Sequence, residues 1–161
     1  MIMEIMTAQN RVHIGKQAPA LYASLLELNA GADAEAVRLG LGRALIELVN
    51  IRASQINGCG FCLEIHARKA LAAGENPDRL AVLPAWAETT FFTERERHAL
   101  ALTEAITLIA DARVPDEVYD AARAVFSDDE IAAVSWVAVV INTFNRVAIS
   151  SRFAVGPVEA H

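Results

Sequence analysis

Cysteine is scarce in this 161-residue chain: there are two, at positions 59 and 62. The N-terminus, MIMEIMTAQN, lacks the basic start of a secretory signal, and Glu4 interrupts its apolar run. The expected compartment is therefore the cytoplasm, where a permanent structural disulfide is rarely kept. That moves weight toward redox chemistry or metal binding. A basic excess is also missing. The net charge of −6 favours solubility and argues against a nucleic-acid partner. No apolar run reaches the length of a membrane span. The longest, IAAVSWVAVVINTF at 131–144, runs into Asn145 and Arg146 and reads as a buried helix. Charged residues make up only 21% against 54% hydrophobic, so part of the surface is expected to be buried between copies of the chain.

Sustained two-residue alternation is absent too, which removes the main sign of strands. Helix signals take its place. Asp33 is placed to cap a helix over about 34–56, with Val37, Leu41, Leu45 and Leu48 at helical spacing. Asn57-Gly58 reads as a turn, and a second helix is expected from about Cys59 to near Gly74. Asn76-Pro77 opens a short helix, with proline at its first position. Thr93 with Glu96, and Ser127 with Glu130, have capping-box spacing. They predict helices over roughly 94–110 and from Ser127 to near Ser150; Pro115-Asp116-Glu117 suits another start between them. No repeat, low-complexity tract or linker divides the chain. The expectation is one all-α domain over residues 1–161.

The chemistry gathers in NGCGFCLEIH at 57–66. A c-type haem would need histidine directly after the second cysteine, and Leu63 stands there. A thioredoxin fold would place the motif after a strand, whereas a helix is predicted to precede it. Zinc could use Cys59, Cys62 and His66, with Glu47 as a fourth ligand, but there is no second CxxC or HxxxH. Redox chemistry uses the same spacing directly. With a helix starting at Cys59, Cys62 follows by three residues and His66 by four more, so all three can share one face. A sulfur at a helix N-terminus sees unpaired N–H groups that favour thiolate. His66 is the candidate base. Glu47 is the candidate to orient it, because Glu64, two residues from both Cys62 and His66, points off their face. In such a cycle the thiolate nearer the base, Cys62, attacks a peroxide, Cys59 resolves the sulfenic acid, and an external dithiol restores the pair. On that reading Cys59, nearer the turn, is the sulfur more accessible to the reductant.

Glu47, RASQINGCGFCLEIHARKA at 52–70, GENPDRL at 74–80, AWAETTFFTERERHAL at 85–100 and INTFNRVAI at 141–149 together resemble the alkylhydroperoxidase D-like branch of the carboxymuconolactone decarboxylase family. The resemblance covers most of the chain. It implies a compact all-α fold with the CxxC motif at a helix N-terminus. By motif position, it implies Cys62 as peroxidatic, Cys59 as resolving, His66 as base and Glu47 as its support. It further implies a trimeric or hexameric homo-oligomer and no tightly bound cofactor. The substrate would be an organic hydroperoxide, reduced at the expense of a small dithiol, lipoyl-type among the candidates, or a redox protein. The best-understood members carry a second histidine just before the second cysteine, where this chain has Phe61. An apolar ring there can raise a thiol pKa by desolvation. The rival readings are a dithiol-disulfide oxidoreductase with little peroxidase activity and a nonenzymatic oligomeric redox sensor.

Other residues invite a role. His98 reads as a surface or packing histidine, and Trp86, Phe91 and Phe92 as core. Asn142, Asn145 and Arg146 interrupt an apolar helix and need partners, which suggests an intersubunit or capping role. Arg52, Arg68 and Lys69 could steer an anionic partner, or simply solvate helix faces.

Overall fold

The computed structural model describes residues 11–156, and these are helical without strands. The reading of MIMEIMTAQN falls outside the described residues. The order is α1 (Ile14–Gln17), α2 (Pro19–Arg38), α3 (Arg43–Asn57), α4 (Gly60–Ala72), α5 (Pro77–Val82), a 3₁₀ segment (Leu83–Glu88), α6 (Glu94–Thr107), α7 (Ile109–Ala112), α8 (Asp116–Arg123) and α9 (Asp128–Ser151).

Most starts follow local chemistry. The Thr93 and Ser127 capping boxes both form, each hydroxyl accepting from the N3 amide while the N3 glutamate returns to the cap N–H. Asn76 caps α5 by accepting from the Asp78 amide at 2.8 Å, and Pro115 precedes α8 as expected. One start differs. Asp33 does not open a helix; it lies inside α2, and its carboxylate takes a 2.9 Å hydrogen bond from Arg43. The break comes later, at Gly40 with φ +85°, and α3 starts after Gly42. A left-handed residue stops a helix more firmly than a side chain that merely could cap one. The helix expected over 94–110 likewise stops at Thr107, before Leu108 leaves helical geometry.

The centre is built by α3 and α9, which pack on each other and on α6; α2 also lies along α9, and α4 along α3. Leu45, Ile46, Val49, Leu102, Val134 and Val137 form the main core, each burial contributing roughly 1.5–3 kcal/mol. Although α9 is long and apolar enough to cross a membrane by length and composition, more than half of its apolar window is buried within the bundle. A smaller cluster joins Ala53 of α3, Cys59 and Cys62, and Ile141 and Ala148 of α9. The two sulfurs thus sit in a seam between three helices.

Candidate active site

The seam is set by a tight reversal. Helix α3 ends at Gly58, whose φ of +68° places it in the left-handed region, and the Cys59 amide donates back to the Ser54 carbonyl at 2.9 Å. Cys59 is at once the N-cap of α4. The chain turns so sharply that α4 runs back along α3, bringing Glu47 near His66 across nineteen positions.

His66 Nδ1 lies 2.7 Å from Glu47 Oε2. A carboxylate only accepts, so the hydrogen belongs to Nδ1, and Nε2 is left as the ring nitrogen able to take a proton. Glu47 is 1% exposed. Its other oxygen stands 4.0 Å from the Arg43 guanidinium, which also holds Asp33. Glu64 is committed elsewhere, to Arg68 at 2.7 Å. The pairing of Glu47 with His66, rather than Glu64 with His66, is the arrangement the helix positions suggested.

Cys62 and His66 open onto one pocket of about 190 Å³, walled by Tyr22 and Leu26 of α2, Phe61 and Ile65 of α4, and Ile141 and Phe144 of α9, with Asn29 and Lys69 as its other polar members. A larger apolar groove of about 300 Å³ between α1, α2 and α9 holds no titratable side chain besides Tyr22, so it is not the reactive site. Cys59 is not part of the pocket lining. At 1% exposed against 4% for Cys62 it is no more accessible, contrary to the expectation for a resolving sulfur open to reductant. The cause is tertiary: Phe153, beyond α9, packs on the cysteine cluster, and Val155 reaches Gly60. Phe153 also stands edge-on to Phe61, with centroids 5.0 Å apart, and stacks on His13 at 4.4 Å.

Both cysteines are free thiols. Burial pushes the Cys62 thiol up to about 12, the neighbouring Cys59 adds to the rise, and a hydrogen bond from the Asn145 side chain opposes it. The helix N-terminus therefore does not deliver the thiolate at Cys62 that the motif alone suggested. Cys62 lies in the first turn of α4, where the dipole acts, but loss of solvation in the apolar seam works against the charged form.

Asn145 was legible in the sequence only as a polar interruption of an apolar helix. Its partners are on α3: Asn57 donates to its Oδ1 at 2.8 Å, and its own amide donates to Ser54 at 3.1 Å. Its neighbours Asn142 and Arg146 are likewise satisfied within the chain. Arg146 Nη1 donates to the Asn142 carbonyl and to Oδ1 (2.9 Å each), and the Asn142 amide donates to Thr107 at 3.0 Å. His98 lies 3.9 Å from Glu94, away from the pocket. Trp86 and Arg52 both bind Glu104, at 2.7 and 2.6 Å, and Phe92 is buried in the core beneath the 3₁₀ segment. Among the described residues, no three His, Cys, Asp or Glu side chains are disposed to hold a metal ion.

The fold recurs in known proteins. Residues 19–105 match the Carboxymuconolactone decarboxylase family. An uncharacterised Bacillus subtilis (strain 168) protein, YdfG, is 39% identical over 110 residues, 68% of this chain and 75% of that one. A crystal structure of an Agrobacterium tumefaciens protein of unknown function, proposed to be the antioxidant defence protein AhpD, superposes with a TM-score of 0.85 at 32% identity. It covers 94% of this chain and all of that one. The chain belongs to the carboxymuconolactone decarboxylase family, in its alkylhydroperoxidase D-like branch.

Proposed function

We propose that the chain is a thiol-dependent alkylhydroperoxidase. The observation that carries this reading is the Glu47–His66 pair at 2.7 Å, opening with Cys62 onto one mostly apolar pocket, one helical turn after Cys59. The Cys62 proton passes to His66 Nε2 as an organic hydroperoxide enters. The sulfur attacks the outer peroxide oxygen, the O–O bond breaks, and the departing alkoxide takes the proton from His66. Cys62 is left as sulfenic acid. Cys59 then attacks that sulfur, water leaves, and a Cys59–Cys62 disulfide forms. A small dithiol, lipoyl-type or carried on a redox protein, reduces it by two exchanges and is itself oxidised. No tightly bound cofactor enters this cycle. The protein would work in the cytoplasm as a homo-oligomer, a trimer or hexamer, and the exposed Trp136 and Val139 on α9 supply an apolar contact surface.

The initial rate of organic hydroperoxide consumption with a dithiol reductant tests this reading. A rate above the protein-free reaction that is lost in Cys62→Ser supports it. No turnover by the wild type with competent dithiols refutes it. The rival reading, a dithiol-disulfide oxidoreductase that meets peroxide slowly, is read out by the same assay. Such a protein would exchange Cys59–Cys62 with dithiols quickly while consuming little hydroperoxide.

A further inference from the structure

Of the three cations that flank the cysteine motif, two are already paired. Arg52 Nε lies 2.6 Å from Glu104, and Arg68 lies 2.7 Å from Glu64. Lys69 is placed differently: it lines the pocket that Cys62 and His66 share. Its position follows from the helix. Cys62, His66 and Lys69 stand at i, i+4 and i+7 within α4 and form one stripe. The lysine backbone is therefore about 10 Å along the axis from that of Cys62. The lining contains no aspartate or glutamate that could neutralise the ammonium. The pocket thus offers a thiol and an imidazole, apolar walls, and a cation two helical turns farther along α4.

We infer that this pocket takes an apolar chain ending in a carboxylate, with Lys69 binding the anionic end and so setting specificity. The inference rests on the peroxidase reading for its chemistry: the substrate is then a straight-chain hydroperoxide with a carboxylate remote from its O–O bond. The peroxide end meets Cys62 and His66 while the hydrocarbon lies against Leu26, Ile65 and Ile141. The carboxylate makes and breaks no bond in the reaction. A compact charge on a flexible stem suits this task, because it follows the anion as chain length varies. Since Lys69 is exposed, the attraction is screened by salt.

Binding is measured apart from turnover. In Cys59→Ser, where Cys62 is the one remaining thiol, octanoate and octanamide are titrated as protectants against iodoacetamide alkylation. The two share a chain length and differ in charge. Lys69→Met is expected to raise the half-protecting octanoate concentration about three- to fivefold, and to leave octanamide within about twofold. Lys69→Glu should raise the octanoate value about tenfold, since repulsion replaces attraction. Arg68→Met removes the adjacent exposed cation, which does not line the pocket, and should change neither. A lysine whose stem merely covers apolar surface would shift both ligands alike or neither, and either result overturns the inference. An equal octanoate shift in Arg68→Met overturns it too, because the field is then general. For turnover, a straight-chain hydroperoxide carrying a terminal carboxylate is compared with its methyl ester. In Lys69→Met, kcat/KM should fall for the acid and hold for the ester. Lys69-dependent octanoate protection without turnover of either peroxide would refute the peroxidase reading and uphold the anion-binding end. A Lys69 effect confined to dihydrolipoate over dihydrolipoamide, with octanoate protection unchanged, would overturn the inference by assigning the charge to the reductant.

Discussion

Replacing Glu47 by Gln should separate activity from stability. The change keeps shape and removes a charge from a side chain 1% exposed. In the native site, the carboxylate accepts from His66 Nδ1 at 2.7 Å, a charge-assisted hydrogen bond. Such bonds contribute about 1.5–3 kcal/mol, against about 0.5–1.5 kcal/mol for a neutral pair. The imidazole therefore loses about 1–2 kcal/mol of support in the form that has accepted the thiol proton, roughly a 5- to 30-fold fall in kcat/KM for an organic hydroperoxide. Gln can also rotate its NH2 toward Nδ1 and select the wrong tautomer, which pushes the loss toward the upper end. Stability should move little, within about 1 kcal/mol, because removing a buried charge offsets the weaker bond. The Arg43 guanidinium at 4.0 Å keeps Asp33 as a partner. The assays are steady-state peroxide consumption with a dithiol, and urea unfolding at neutral pH. If Glu47→Gln keeps kcat/KM within twofold of wild type, the carboxylate does not act through His66. A large stability loss with full residual activity in the folded fraction would also refute the argument.

Other outcomes follow from the seam around the sulfurs. A Cys59→Ser background removes the share of the Cys62 rise due to Cys59 but leaves the larger share due to burial, so alkylation there should still climb with pH past 9.0; a plateau near 9 would contradict the burial argument. The same shift has a stability sign. A thiol whose folded pKa is raised keeps its contribution fully below pH 9.0 and loses it as pH rises through about 12, so the reduced protein should weaken over that alkaline window more than Cys62→Ala does, measured by urea unfolding. Phe61→His should raise Cys62 alkylation by roughly tenfold by admitting a polar ring, and cost about 1 kcal/mol from the lost edge-on pair with Phe153; an unchanged rate would show that Phe61 does not desolvate the thiol. Trp136, 53% exposed, should be needed for self-association: Trp136→Glu is expected to lower the sedimentation coefficient toward that of a monomer, and an unchanged value would remove α9 from the subunit contact.

Features governed by neighbours in the chain were readable without coordinates. The two capping boxes, the Asn76-Pro77 start, the Asn57-Gly58 reversal and the helical column from Cys62 to His66 each depend on residues within a few positions, where backbone geometry leaves little choice. The motif flanks carried the family for the same reason: they are local strings. What escaped depended on distance through space. Asp33 has the chemistry of a cap, but whether α2 runs past it is decided where Gly40 goes left-handed and Arg43 reaches back. Glu47 was nominated by elimination, and only the packing of α4 on α3 closes it to 2.7 Å from His66. The accessibility of Cys59 was misjudged because the cluster that buries it draws on residues as distant as Ile141 and Ala148, with Phe153 packed against it. Asn145 looked like a polar fault in an apolar helix until Ser54 and Asn57 converged on it. Sequence determined the starts of α4, α5, α6, α8 and α9 and which residue types can do thiol chemistry, since both rest on local geometry and side-chain identity. Tertiary structure alone decided which groups are desolvated and which buried side chains pair, because burial and hydrogen-bond partners are properties of several helices at once.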